Sequence, residues 1–292
     1  MRIDLHTHSD RSDGTDRPSE LVARAAAAGL DVLALTDHDT AVGWDEARAA
    51  AIDEGIGLVP GMEISCAHAG VGVHLLGYLL DPSYPPLAEE LRRVLDGRSA
   101  RLPATLDRLR GLGINISRDD VLAVSGSAAA TGRPHVADAL VAKGVVRDRT
   151  EAFDRFLAQG RPAYVRRYAA DLVEMIRLGA RAGGVTVLAH PWGRHSRRAL
   201  DVVTLTTLKE AGLAGLEVDH QDHDAATRAE LRSVAERLGL LRTGSSDFHG
   251  AGKLDCPLGA NTTDPEQFEL LLAAAAASAS ESGRPTPAPV LP

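Results

Sequence analysis

Residues 1–14 read MRIDLHTHSDRSDG and predict a β-strand that begins at the start of the chain. Apolar and polar residues alternate over the opening positions, and side chains two positions apart on a strand point the same way. His6 and His8 therefore leave the end of this strand side by side, as a chelating pair would. Asp13 follows in a turn rich in Ser, Asp and Gly, which can return its carboxylate toward the two imidazoles.

The composition is that of an ordinary globular protein, with 292 residues, 44% hydrophobic and 25% charged. A chain of this length can bury one large core, or a main domain with an insertion. No apolar run approaches the roughly 18 residues that a membrane helix needs, and the first residues are too polar for a secretion signal. The net charge of −8 argues against long DNA or RNA held by a generally basic surface. Cys66 and Cys256 are the only cysteines, which indicates a reduced, cytoplasmic protein without a cysteine-rich zinc ribbon.

Apolar strands alternate with helical segments through most of the chain. After the opening strand, further strands are predicted at 31–36, 57–65, 71–80, 185–189, 213–218 and 240–245. Repeated strand, helix and strand units predict a parallel sheet with helices outside it. Seven such strands predict an α/β fold, a closed or nearly closed β/α barrel, whose functional groups gather at the C-terminal ends of the strands.

The alternation stops in the middle of the chain, where helical periodicity continues without a convincing buried strand. We predict a helical insertion at 99–165, which leaves the barrel in 1–98 and 166–276. The insertion is rich in arginine, which fits either solvated helix faces or a lobe that faces phosphate. Residues 277–292 are rich in Ala, Ser and Pro and are predicted to form a disordered tail.

Histidine and acidic residues recur at or near the ends of the predicted strands. With the opening stretch, this set comprises His6, His8, Asp13, His38, Glu63, His74, His190, Asp247 and His249. Imidazoles and carboxylates that converge in one barrel mouth make little sense as a packed core. Nitrogen and oxygen donors without thiolate suit Mn, Fe or Zn, and so many side chains fit two or three ions better than one.

The order of these motifs resembles that of the polymerase and histidinol phosphatase (PHP) family. The matching motifs are His-Thr-His at 6–8, Thr-Asp-His at 36–38, Gly-Met-Glu at 61–63, Ala-His-Pro at 189–191 and Ser-Asp-Phe-His at 246–249. The resemblance implies a distorted, TIM-like (β/α)7 barrel that hydrolyses phosphoesters at a di- or trinuclear metal site. A helical insertion between the fourth and fifth strands resembles the branch of nucleotide 3′,5′-bisphosphate phosphatases and 5′→3′ exonucleases of short RNA.

Carried over residue by residue, the resemblance implies three metal positions, with manganese preferred and iron or zinc as alternatives. The first would take His6, His8, Glu63 and Asp247. The second would share Glu63 and add His74 and His190, and the third would take Asp13, His38 and His249.

The expected mechanism is in-line attack on phosphorus by a hydroxide that bridges the metals, with Asp247 at the reacting centre. His223 resembles a histidine of the same branch that would act as general acid or contact the substrate. A solvated loop histidine is the alternative interpretation.

Phosphate recognition is predicted for Arg133 and His135, at the start of an inserted helix, and for Arg194 after the fifth strand. Arg161 is a weaker candidate, and each arginine could equally be a surface residue. Aromatic residues make up only 3% of the chain, which favours a mononucleotide or the end of a short oligonucleotide over long RNA.

Three other functions stay open at this point. A phosphatase of the histidinol-phosphate type, or for another small molecule, would use the same ligands. An amidohydrolase would also use a His-x-His pair, but no lysine falls at a strand end where such enzymes often place a carboxylated one. A metal-binding domain without catalytic activity is the third alternative, and the complete ligand set argues against it.

Overall fold

The computed structural model describes residues 1–193, 196–253 and 255–292. Seven strands follow one another around the sheet in chain order. They are β1 (Ile3–Thr7), β2 (Val32–Leu35), β3 (Gly57–His68), β4 (Val71–Tyr78), β6 (Val185–Leu188), β7 (Gly215–Asp219) and β8 (Leu241–Gly244), while the short β5 (Ala170–Asp171) pairs with β3 outside this order. At the seam between the first and last strands, Thr7 bridges Phe248, and the backbone N–H of His8 donates to the Phe248 carbonyl at 2.9 Å. The predicted barrel-like α/β fold is confirmed, with the sheet nearly closed.

One strand corrects the expectation of an all-parallel sheet, because β4 runs antiparallel to both β3 and β6. The cause lies in the link between β3 and β4, which contains only Ala69 and Gly70, with φ of 47° and 78°. Two successive residues with positive φ form the tight turn that suits a two-residue hairpin. A parallel connection would need a crossover of a dozen or more residues.

Ten α-helices are described. They are α1 (Pro18–Ala27), α2 (Trp44–Glu54), α3 (Pro85–Gly111), α4 (Arg118–Ser125), α5 (Arg133–Ala142), α6 (Arg149–Ala152), α7 (Leu172–Arg181), α8 (Val202–Glu210), α9 (Ala225–Leu238) and α10 (Pro265–Ser282). A five-residue π-helix, Phe153–Leu157, continues α6. None of the helices in the described part of the chain is long and apolar enough to cross a membrane.

Apolar side chains pack on both faces of the sheet, as the alternation along each strand requires. In β2, Leu33 and Leu35 pack with α1 and α2, whereas Val32 and Ala34 belong to a second cluster that includes residues of α10. The insertion has its own apolar cluster, built mainly from α3, α4, α5 and the π-helix. Helix α3 joins the two regions, since Val94 packs with the barrel cluster and Leu102 with the insertion cluster. The proposed boundary at 98/99 therefore falls within one continuous helix.

The C-terminal segment differs from the predicted disordered tail at 277–292. Helix α10 continues to Ser282 and is capped by Gly283 in the left-handed conformation, which glycine adopts without strain. Further on, Val290 and Leu58 exchange two backbone hydrogen bonds, both 2.9 Å long. The alanine-rich composition taken as a sign of disorder is that of a good helix former, and the tail finds a partner at the start of β3.

Candidate metal centre

His6 and His8 converge as the opening residues predict. Their Nε2 atoms lie 3.0 Å apart, and both side chains are fully buried. The register of β1 against β2 shifts between Asp4 and Thr7, so the strand is irregular where the first histidine leaves it. When neither Nε2 atom carries a proton, the two lone pairs face each other across this distance, an arrangement that a cation relieves.

Glu63, on β3, is the carboxylate around which the imidazoles gather. Its Oε2 lies 3.3 Å from His6 Nε2 and 3.2 Å from His8 Nε2. Its Oε1 lies 2.6 Å from His74 Nδ1 and 3.2 Å from His190 Nε2. His38 approaches Oε2 through Nδ1 at 3.2 Å. Strands β1 and β4 and the segments after β1, β2 and β6 thus deliver five imidazoles to one carboxylate on β3.

Asp247 completes the group at His6 and His8 from the loop after β8. Its Oδ1 lies 3.5 Å from His6 Nε2 and 3.4 Å from His8 Nε2. Asp247 has a φ of 51° and His190 a φ of 28°, conformations that are rare outside glycine. Strained backbone of this kind persists where the surrounding structure imposes it, commonly at functional sites.

A third group of donors lies on the side of His8 that faces the insertion. Asp13 Oδ2 is 3.6 Å from His38 Nε2, and Asp13 Oδ1 is 3.4 Å from His249 Nε2. The described structure brings all nine predicted donors into one cluster. Three sets have donor atoms within 4.8 Å of one another: His6, His8, Glu63 and Asp247; His8, Asp13, His38 and His249; and His38, Glu63 and His74. This cluster of nitrogen and oxygen atoms is able to bind metal ions.

The electrostatics of the cluster fit a cation site. Burial alone would raise the pKa of Glu63, but His74, His38 and His6 hold it well below its usual value. Burial likewise opposes protonation of His8, yet Asp247 and Glu63 raise its pKa to about 9. The carboxylates therefore stay ionised inside the protein, where such charges need a cationic partner.

Two carboxylates that the sequence analysis missed hold the donors in place. Glu217 is fully buried on β7, and its Oε1 accepts a hydrogen bond from His6 Nδ1 at 3.0 Å. Asp37 accepts hydrogen bonds from the backbone N–H of Ser9 at 2.9 Å and from Ser12 Oγ at 2.6 Å, which braces the loop that carries Asp13. A glutamate within an apolar strand was the available signal, because charged side chains are almost never fully buried unless paired.

His223 lies beside the cluster rather than in it. Its ring centroid is 5.9 Å from that of His220, a residue also missed, whose Nε2 is 3.3 Å from Asp247 Oδ2. His223 Nδ1 donates to the Val218 carbonyl at 2.9 Å, and its buried Nε2 has no hydrogen-bond partner among the described residues. The interpretation as a solvated loop histidine is wrong, because the side chain is buried. Lys253, another residue missed, lies 2.7 Å from Asp247 Oδ2.

Two small cavities share Arg98 as a lining residue. The first is lined by Asp13, His38, Arg98 and His135 among others, so it lies beside the metal-ligating side chains. The second is lined by Arg98, Arg101, Arg133 and the threonines at 105 and 131, so it lies on the side of the insertion. Arg98 itself is buried and donates to Asp39 Oδ2 at 2.7 Å.

Arg101 is the cation of the second cavity for which no carboxylate partner is found among the described residues. Its side chain is buried, and burial together with Arg133, Arg167 and Arg98 lowers its pKa to about 8. A buried guanidinium surrounded by others is costly without a negative charge. The second cavity therefore has the electrostatics of an anion site.

The residues predicted to bind substrate lie in different parts of the structure. Arg133 lines the second cavity, with its guanidinium 5.4 Å from the ring centroids of Phe153 and Tyr164. His135 lines the first cavity and is buried, and its Nδ1 accepts from the backbone N–H of Gly132 at 2.9 Å. Arg161 is exposed and lines neither cavity, so its predicted contact has no support. Arg194 lies outside the described residues.

Comparison with known proteins identifies relatives of this chain. The family model of the PHP domain matches residues 4–113. The chain is 36% identical over 251 residues to the 3′,5′-nucleoside bisphosphate phosphatase of Chromobacterium violaceum. This alignment covers 86% of this chain and 88% of the relative. It is 36% identical over 248 residues to a 5′-3′ exoribonuclease of Haemophilus influenzae, covering 85% and 90% of the two chains. A crystal structure from Bifidobacterium adolescentis, described as a candidate metal-dependent phosphoesterase, matches with a TM-score of 0.89 at 37% identity, over 93% of this chain and 96% of the other.

A nearly closed β/α barrel with this cluster of His, Asp and Glu at its mouth defines a metal-dependent phosphoester hydrolase. The chain belongs to the PHP domain family.

Proposed function

We propose that this enzyme removes a phosphate from a nucleotide that carries a second phosphate, either a 3′,5′-bisphosphate nucleotide or the end of a short oligonucleotide. The observation that carries this proposal is that Arg98 lines two cavities, one beside the metal-ligating side chains and one that Arg101 and Arg133 also line. A substrate with one phosphate would leave the second cavity without an anion. The activities of the two relatives support the same substrate class.

The donor groups support two or three divalent ions, with manganese our first choice and iron or zinc the alternatives. The first position comprises His6, His8, Glu63 and Asp247, and the second comprises Glu63, His74 and His190. Asp13, His38 and His249 form the third. Divalent ions bound there would supply positive charge to the phosphoryl oxygens and lower the pKa of water.

The chain's own residues then bind and orient the ester. Arg101 and Arg133 would hold the phosphate that is not cleaved, since guanidinium groups form paired hydrogen bonds with phosphate oxygens. His223 keeps its Nδ1 proton on the Val218 carbonyl, which leaves Nε2 as an acceptor for a hydroxyl of the substrate. Burial lowers the pKa of His223, and this favours the substrate contact over the role of general acid.

We also propose a cytoplasmic location and a small phosphorylated substrate rather than long DNA. Cys66 and Cys256 are both buried free thiols, as is usual in a reducing compartment.

The test is elemental analysis of the purified protein, combined with phosphate release from adenosine 3′,5′-bisphosphate, AMP, histidinol phosphate and a short 5′-phosphorylated RNA. A simple amide is included because an amidohydrolase would cleave it. We expect at least two ions per chain and fastest turnover of a substrate with two phosphates. Fastest turnover of histidinol phosphate, cleavage of the amide alone, or metal content without turnover of any compound would each contradict the proposal.

Two variants control this screen. Glu63→Gln should lose ions and activity together, because Glu63 contributes to two metal positions. Glu54→Gln, an exposed glutamate at the end of α2, should match the wild type in both measurements.

A further inference from the structure

Arg149, the first residue of α6 in the insertion, extends its guanidinium to the loop that carries Asp13. Its Nη1 donates to the backbone carbonyl of Asp13 at 2.9 Å. Its Nε and Nη2 donate to the two carboxylate oxygens of Asp138, on α5, at 2.6 and 2.7 Å. A guanidinium held by both oxygens of a carboxylate has a fixed plane and direction. Only 13% of the side chain is exposed.

The same guanidinium also restricts the position of the loop that follows His249. A Cβ atom added at Gly252 would clash with Arg149 Nη1, so the loop passes directly against the guanidinium. The backbone N–H of Gly252 donates to the His249 carbonyl at 3.2 Å, which links this contact to the histidine. One arginine of the insertion thus touches both loops that carry donors of the third group.

We infer that Arg149 is a positioning residue for the third metal position, acting through Asp13 and His249. This inference rests on the metal positions of the proposed function. His38 lies shortly after the end of β2 and forms an isolated β-bridge with Glu63 of β3, so the sheet fixes its place. Asp13 and His249 lie on loops, and their donor atoms are 3.4 Å apart only while both loops keep their position. The insertion, through Arg149, then determines whether the barrel holds a third ion.

Other contacts keep the insertion attached when Arg149 is replaced. The backbone N–H of Ala129 donates to the Arg11 carbonyl at 2.9 Å, and Ser127 Oγ donates to Asp10 Oδ2 at 3.0 Å. The apolar cluster of the insertion does not include Arg149. A variant at this position should therefore fold and lose only the restraints on Asp13 and on the loop that follows His249.

The experiment compares Arg149→Lys and Arg149→Ala with Arg155→Gln. Arg155 belongs to the same segment but is half-exposed and pairs with Glu151, so it is the matched control. Ions per chain are counted after dialysis against graded metal concentrations, and kcat and KM are measured on the loaded proteins. We expect both Arg149 variants to keep the tightly bound ions and to bind the third ion about 10- to 100-fold more weakly, as is typical when a residue supporting a ligand is lost. The control should equal the wild type.

Rescue of the Arg149→Ala variant by free guanidinium distinguishes a positioning role from a role in folding. Guanidinium at low millimolar concentration should restore the third ion and turnover to Arg149→Ala, by filling the space of the missing group, and should not affect Arg149→Lys to the same extent. A wild-type chain that never binds more than two ions, variants that bind the third ion with wild-type affinity, or variants that lose all ions together with cooperative unfolding would each overturn the inference. Metal counts do not depend on the substrate, so a wild-type protein that binds three ions without phosphatase activity would refute the proposed function alone.

Discussion

Glu217 and His6 are joined inside the barrel by a hydrogen bond of 3.0 Å between Oε1 and Nδ1. The other carboxylate oxygen of Glu217 accepts from the backbone N–H of His190 at 2.8 Å. With Nδ1 of His6 holding the proton, its Nε2 offers a lone pair toward His8 and Glu63. A carboxylate behind a ligating histidine is a common way of fixing both the tautomer and the direction of the ring.

Glu217→Gln should therefore weaken metal binding by about 10- to 100-fold, the usual effect of losing such a partner. The amide can donate to Nδ1 and so favour the tautomer with its proton on Nε2, which blocks the ligand. The measurement is metal affinity by titration of the metal-free protein. Glu210→Gln, an exposed glutamate at the end of α8, is the matched control. Unchanged affinity in Glu217→Gln would show that His6 does not need this partner.

Asp13→Ala should reduce the number of bound ions and lower turnover, because the two histidines of the third group would lose the carboxylate that lies near the Nε2 atoms of both. Elemental analysis and kcat on the same preparation check this. Asp53→Ala, on the exposed side of α2, serves as control. If metal content and rate both stay at the wild-type level, Asp13 is not a ligand.

Arg101→Met should raise KM for a substrate with two phosphates by roughly 10- to 100-fold, the range for a lost hydrogen bond to a charged group. The kcat should change little, since the second cavity lies away from the metal-ligating side chains. For a substrate with one phosphate, we expect hardly any effect. Arg118→Met, an exposed arginine of α4, controls for loss of charge. Equal increases in KM for both substrates would remove the second cavity from substrate binding.

Deletion of residues 284–292 should leave kcat and KM unchanged and lower Tm by several degrees. Val290 pairs with Leu58 at the start of β3, whereas Glu63 lies further along the same strand, toward the mouth. Each lost backbone hydrogen bond contributes about 1 kcal/mol. Deletion of 291–292, which keeps Val290, is the control for thermal unfolding. A large loss of activity would show that the segment reaches the active site.

Removal of metal should destabilise the whole barrel. Ions at the first position would join His6 on β1 and His8 just after it to Asp247 in the loop after β8, across the seam of the sheet. At 100 times the Kd, a ligand stabilises the fold by about 2.7 kcal/mol. We expect chelation to lower Tm by about 5–10 °C, given a shift of roughly 2–4 °C per kcal/mol for a chain of this size. Calorimetry measures the Tm before chelation, after chelation and after metal is added back. An unchanged Tm would mean that the ions do not bridge the seam.

His190 and Glu217 show which site residues could be predicted from the sequence and which could not. His190 could be predicted because it follows an apolar strand, and the ends of barrel strands meet at one mouth. Glu217 lies within its strand, and only burial and a partner from β1 give it a role. Arg101 was missed for a similar reason, since a buried arginine and an exposed arginine on a helix have the same local sequence pattern. The direction of β4 depended on the conformation of Ala69 and Gly70, which a search for apolar runs does not consider.

The seam between Thr7 and Phe248 also has a consequence for synthesis of the protein. The chain supplies the histidines of its opening strand first and completes their ligand sphere only with the loop at 246–249. A nascent or prematurely terminated chain contains no finished centre. Incomplete products that lack this loop should therefore be harmless to the nucleotides around them, and activity appears only once residues 246–249 have been synthesised and folded against the opening strand.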